Sequence, residues 1–203
     1  MKRAALGIRM HSGWGVLVAV AGDGPSLEVL ERRRIVVIDS SVAGSVQPYH
    51  HAASLALGEA GLAGAEKYIA DCAAISARLA FEVVEEVCRE LEERRYRIGG
   101  CAVLLASGRA LPALEKILGA HPLIHTAEGE FFRDAVRKAC GRLKIPVKGI
   151  PEREVEERAK AVFGKATGRV VRSIASAASS MGPPWTKDHK AAALAAAITL
   201  KQQ

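Results

Sequence analysis

Aromatic residues make up only 4% of this 203-residue sequence. A core built on stacked rings is therefore excluded, and abundant alanine fills the gap. Alanine loses no side-chain entropy in a helix, so the composition favours helices. No apolar run reaches the roughly 20 residues that a membrane-spanning helix needs. The run from Ala191 to Leu200 is too short, and the apolar stretch after Met1-Lys2-Arg3 is interrupted at Arg9 and His11, as no signal peptide would be. These absences predict no membrane association and a cytoplasmic location. The four cysteines, Cys72, Cys88, Cys101 and Cys140, form no CxxC pair. That argues against a zinc site built on them and for free buried thiols in a reducing compartment. No internal repeat and no flexible linker breaks the chain, so residues 1–203 are expected to form one domain.

What the sequence does have is ordinary for a globular protein: 49% hydrophobic and 25% charged residues. The charge is unbalanced, with 29 basic against 22 acidic side chains and a net charge of +7. A surplus of this size permits attraction to phosphate backbones without requiring it. A solvated basic surface accounts for it as well.

The N-terminal third reads as strands. Ala4 to Met10 and Gly15 to Ala21 are apolar, Gly22-Asp23-Gly24-Pro25 is a turn signal, and Leu27 to Ile38 alternates. A helix is expected from about Tyr49 to Gly58. Tyr68, Cys72, Ile75, Leu79, Val83, Val87 and Leu91 recur at steps of three and four, the mark of a long amphipathic helix. Arg94, Arg95 and Arg97 suit the negative end of its dipole. Cys101 to Ala106 predicts a buried strand, Leu111 to Leu118 a short helix with Pro112 in its first turn, and Leu123 to His125 a brief strand. Glu130 to Leu143 has helical spacing, and Val147 to Ile150 reads as the last strand. Helices are then expected over Glu152 to Phe163, Val170 to Ser180 and Lys187 to Leu200, the last capped by Thr186. Three antiparallel strands followed by βαβα units predict an α/β fold with a mixed sheet covered by helices.

This order resembles the ribonuclease H-like superfamily, in particular its Holliday junction resolvase branch. Leu6-Gly7-Ile8 looks like the family's first strand. Glu128-Gly129-Glu130-Phe131-Phe132-Arg133, then a helix and Ile145-Pro146-Val147, resembles the resolvase segment with a glutamate ahead of two phenylalanines. Asp188 followed by Lys190-Ala191-Ala192-Ala193-Leu194-Ala195 resembles the family's last helix. The resemblance implies a nuclease in which clustered carboxylates hold two Mg²⁺ or Mn²⁺ ions about 4 Å apart, acting on DNA or RNA. It fails where the family carries an aspartate after Gly-Ile, because this chain has Arg9 there. A guanidinium removes a ligand and adds positive charge beside the metals. The resemblance therefore implies a degenerate relative, with Arg9 in the metals' place and available to bind an anion. Four further segments, His11-Ser12-Gly13-Trp14, Gln47-Pro48-Tyr49-His50, His125 to Glu130 and Gly182-Pro183-Pro184-Trp185, look like those of a bacterial family that implies no known activity.

The candidate residues carry two readings each. His125, Glu128 and Glu130 suit metal or acid–base work. They equally suit a helix start, with Thr126 as cap and the glutamates on the positive dipole end. Asp188 with His189 completes a metal cluster or simply matches the dipole of the last helix. His50 and His51, pointing about 100° apart on a helix, are not expected to share one metal. His11-Ser12-Gly13-Trp14-Gly15 forms an anion-binding nest or an ordinary hairpin turn. Trp14 and Trp185 stack on a ring or base, or plug the edge of the core. The basic runs Arg32 to Arg34 and Arg94 to Arg97 track phosphates or serve solubility.

Three functions are compatible with these residues. In the first, Glu128, Glu130 and Asp188 hold a metal, His11, His50 or His125 moves protons, and Arg9, Ser12, Trp14, His50, Arg133 and Trp185 bind nucleic acid. In the second, the same fold is a non-catalytic binding or assembly module. Its alanine-rich helices, residues 64–96 and 187–200, then serve as partner faces, a second copy of the chain included. In the third, His125 and Glu128 serve a small-molecule enzyme without metal.

Overall fold

The computed structural model describes residues 1–22, 26–106 and 110–203. The Asp23-Gly24-Pro25 part of the expected turn lies outside them. Among the described residues five strands form one sheet, β1 (Lys2–Met10), β2 (Trp14–Ala21), β3 (Glu28–Val36), β4 (Tyr96–Leu105) and β5 (Val147–Pro151), in the order β3-β2-β1-β4-β5. β1, β2 and β3 pair antiparallel, while β1, β4 and β5 run parallel. The parallel strands thus end together, with Met10, Leu105 and Pro151 on one edge of the sheet.

The described residues also form seven α-helices around the sheet: α1 (Pro48–Leu57), α2 (Gly61–Glu93), α3 (Leu114–Leu118), α4 (His121–Arg142), α5 (Val155–Phe163), α6 (Thr167–Met181) and α7 (Lys187–Lys201). Strand alternation sorts side chains onto two faces. Leu6, Ile8 and Met10 of β1 join Leu17, Ala19, Cys101 and Val103 beneath α2 and α4. On the opposite face Val16, Val18, Val20, Ala102 and Leu104 meet α5, α6 and α7. A small third cluster, Ile117, Ile124 and Ala127, packs with Tyr49 and Ala53 where α1 and α3 lie on α4.

Small residues fix how closely two of the helices approach their neighbours. In α7 every residue from Ala192 to Thr199 is buried, because the helix lies flat on the sheet. It crosses β1 at Gly7, where a Cβ would stand 1.9 Å from the carbonyl oxygen of Ala192. Only glycine admits that approach. In α2 the deepest stripe is Ala65, Cys72, Ser76, Ala80, Val84, Val87 and Leu91. Its small members set this helix close to its neighbours, and Tyr68, Ile75, Leu79 and Val83, expected to lead the apolar face, flank it half-buried.

The expected strand at Leu123 to His125 is instead the first turns of α4. A three-residue apolar run does not distinguish a strand from a buried helix face. The cap expected at Thr126 is corrected with it: its hydroxyl donates to the carbonyl of Pro122 at 3.0 Å, one turn back inside the helix. Among the described residues no helix is long and apolar enough to cross a membrane.

Candidate functional site

Gly7, Arg9 and His11 alternate onto the α7 face of β1. With α7 seated on Gly7, its first turn lies above Arg9. The Arg9 guanidinium bonds Oδ1 of Asp188 on one side. On the other it grips Glu152, which directly follows β5, in a two-pronged pair of 3.1 Å from Nε and 2.9 Å from Nη2. Nε2 of His11 meets the second oxygen of Asp188 at 2.8 Å. Arg9 and Asp188 are largely buried, their side chains 22% and 21% exposed.

The array continues in both directions. The His11 ring stacks on Trp14 with centroids 4.4 Å apart, and Arg34 covers the Trp14 ring at 4.1 Å. Beyond Glu152 stands Arg133, which is buried and donates to the Leu104 carbonyl at the end of β4 at 2.9 Å. Its pKa is lowered by burial, while the charges of Glu130 and Glu152 oppose the shift. Glu130 pairs with Arg133 at 3.1 Å and with Arg137 at 3.2 Å. Positive and negative groups thus alternate along the edge where β1, β4 and β5 end.

This arrangement does not fit a pair of divalent ions. Both oxygens of Asp188, of Glu152 and of Glu130 already accept from a guanidinium or an imidazole. The cations that would balance these carboxylates in a two-metal site are here part of the chain. Arg9 sits where the metals were expected, with its donors aimed at Glu152 and Asp188.

Of the three carboxylates expected to hold one metal, Asp188 alone joins Arg9. Glu130 joins the same edge through Arg133. Glu128 goes elsewhere: it is buried in α4, and its Oε1 accepts from the backbone N–H groups of Tyr49 and His50 at 3.1 Å each and from Nδ1 of His50 at 2.9 Å. A carboxylate thus caps the N-terminus of α1 from another helix, with the favourable dipole sign. Beside it, ring nitrogens of His50, His121 and His125 lie within 4.8 Å of one another. Among the described residues this is the one group of three or more such side chains arranged to share an ion.

Trp185 is half-buried, with its indole N–H donating to the Ile174 carbonyl at 3.0 Å and its ring stacked on His189. Ser12 is exposed in the β1–β2 turn, an ordinary hairpin closed by Gly13 at φ 77°. The N-cap expected at Thr186 is present as a reciprocal capping box with His189. Arg32 donates to the Gly182 carbonyl at 2.9 Å and Arg33 pairs with Glu86 at 2.9 Å and Glu90 at 2.7 Å, so both serve packing. The fold adds two functional candidates, Glu152 and His121. Glu152 is, in the sequence, one charge of a charged helix, and only the parallel order of β1, β4 and β5 brings it to Arg9. His121 is signalled by its four-residue spacing from His125, which the expected strand conceals.

No family model matches the chain, and no curated protein matches it in sequence. Solved structures do match. The structure of Thermus thermophilus RuvC superposes with a TM-score of 0.53 at 13% identity, over 96% of this chain and 92% of that one. T. thermophilus RuvC in complex with Holliday junction substrate gives 0.52 at 15% identity, over 97% and 91%. The likeness expected from the sequence holds at the level of architecture: this chain has the ribonuclease H-like fold of the resolvase RuvC.

Proposed function

We propose that the protein is a nucleic-acid-binding member of this fold that does not hydrolyse its ligand. The observation that carries the reading is Arg9 locked between Glu152 and Asp188. Two-metal hydrolysis needs exchangeable cations that activate water and stabilise the leaving oxygen. A guanidinium fixed by two carboxylates does neither, and its bound state leaves it poorly placed to capture phosphate. The binding surface is then beside it. A groove of about 910 Å³ runs between α5, α6 and α7 from Glu152, lined by Arg153, Lys160, Lys187 and Lys190 against the acidic Glu156, with Ile174 and Leu194 among its apolar residues. From Glu152 onward the chain carries nine basic and five acidic side chains. What supports nucleic acid as the ligand is this charge, together with a fold seen elsewhere on Holliday junction substrate.

The test is binding of labelled four-way junction, duplex and single-stranded DNA and RNA across a salt series, in EDTA or Mn²⁺. Salt-sensitive binding, equal in both and without cleavage, is expected. The triple variant Lys160→Glu, Lys187→Glu, Lys190→Glu should abolish most of it and flatten the salt dependence by about one unit of slope for each phosphate no longer neutralised. No binding at low salt refutes the ligand class. Mn²⁺-dependent cleavage abolished by Asp188→Asn refutes the loss of hydrolysis.

A further inference from the structure

The histidine cluster on α1 and α4 is independent of the charged array on the sheet edge and of the nucleic-acid reading. His121 and His125 are one turn apart on α4 and share a face; their ring centroids are 4.4 Å apart. His50 enters from α1, with its ring 4.8 Å from His125 and 5.3 Å from His121. Three imidazoles from two helices thus converge at the surface, two of them exposed.

The orientation of His50 is fixed and informative. Its Nδ1 faces Oε1 of buried Glu128 at 2.9 Å. A carboxylate there holds the proton on Nδ1, so Nε2 presents its lone pair to the cluster. That Nε2 lies 3.5 Å from Nε2 of His121. Two nitrogens bound to one tetrahedral Zn²⁺ at about 2.0–2.1 Å stand about 3.3–3.4 Å apart. The first pair therefore already has the separation that a shared ion imposes. The third nitrogen, within 4.8 Å, closes the remaining gap by rotation of the exposed His125 ring.

We propose that His50, His121 and His125 form a binding site for a divalent transition metal of the Zn²⁺ class, with Glu128 orienting His50. Imidazole nitrogen selects this class over Mg²⁺ and Ca²⁺, which take oxygen. A carboxylate on the far nitrogen of a ligating histidine is the usual outer support of such sites. The bound ion would join α1 to α4. Because His121 and His125 face solvent, the fourth position is open to water or to an anionic group of a second molecule.

The test uses the full chain stripped of metal and titrated with Zn²⁺ against a chromophoric chelator, with Co²⁺ as spectroscopic probe. The expected results are about one equivalent bound, visible Co²⁺ bands of a four-coordinate nitrogen-rich site, and a higher Tm on loading. Changing both exposed rings, His121→Asn with His125→Asn, should lower Zn²⁺ affinity at least about 100-fold with circular dichroism unchanged. Glu128→Gln should lower it about 10- to 100-fold, and His51→Asn should leave it as it is. Zn²⁺ affinity no greater in the native chain than in the double variant overturns the site.

Discussion

Arg9→Met tests the charged array most directly. The substitution keeps an unbranched apolar stem and removes the guanidinium. Glu152 and Asp188, with side chains 36% and 21% exposed, then lose their shared partner, and His11 stays on one oxygen of Asp188. An exposed ion pair is worth up to about 1 kcal/mol, and removing one partner of a fully buried pair costs about 3–5 kcal/mol. The intermediate burial here, with two carboxylates left to repel, places the loss at about 2–3 kcal/mol. For a chain of this length that is a fall in Tm of about 4–12 °C, followed by circular dichroism during heating. Asp188→Asn added to Arg9→Met should restore part of the loss, since the repulsion goes with it. Arg9→Asp adds a third carboxylate and should be less stable than Arg9→Met in EDTA. Millimolar Mg²⁺ should raise the Tm of that variant alone, Mg²⁺ being a hard cation that the histidine cluster binds poorly. An Arg9→Met protein as stable as the native one, or a native Tm raised equally by Mg²⁺, would refute the idea that the guanidinium stands in for metal charge.

Two further outcomes are expected. Gly7→Ala should lower Tm by several degrees and weaken the Arg9–Asp188 contact, because the new Cβ meets main-chain atoms of Ala192 and Ala196, which cannot move aside as a side-chain tip would; overpacking of this kind costs about 1–3 kcal/mol. The pKa of His189 is held below its usual 6.5 by burial and then by Arg32, against the pull of Asp188, and its Nδ1 accepts the Thr186 N–H at 3.2 Å. The unfolded chain takes up a proton there that the native ring refuses, so stability is full above about pH 6.5 and declines as pH falls below it. His189→Gln keeps an acceptor for the capping box and should show a smaller decline of Tm over that window; an identical decline would remove His189 as its source.

Long periodic patterns are legible in the sequence because each is set by local spacing. α2, α7 and the first three strands stand close to where their periodicity puts them. The same logic fails at Leu123 to His125, where three apolar residues are too few to carry a period, and the error hides His121. Sites are harder, because they depend on which chain ends meet. Asp188 is legible as a helix-start acid near the first strand. Glu152 is not, since its role depends on β5 lying two strands from β1. Glu128 is legible as a helix-associated carboxylate, yet it caps α1 and not its own helix. The reach of a buried side chain from one element to another leaves no periodic trace.

The placement of α7 bears on how the protein is made. All five described strands precede this helix in the chain, so they leave the ribosome before the helix that completes the cover of one face exists. At about 5–20 residues per second, about 10–40 s separate the synthesis of Arg9 from that of Asp188. Until α7 is made, Val16, Val18, Val20, Ala102 and Leu104 have only α5 and α6 to cover them, and the part left open is a surface of the kind that chaperones hold and that aggregates when they do not. The charged array cannot close until α7 has been made, because Asp188 lies in its first turn.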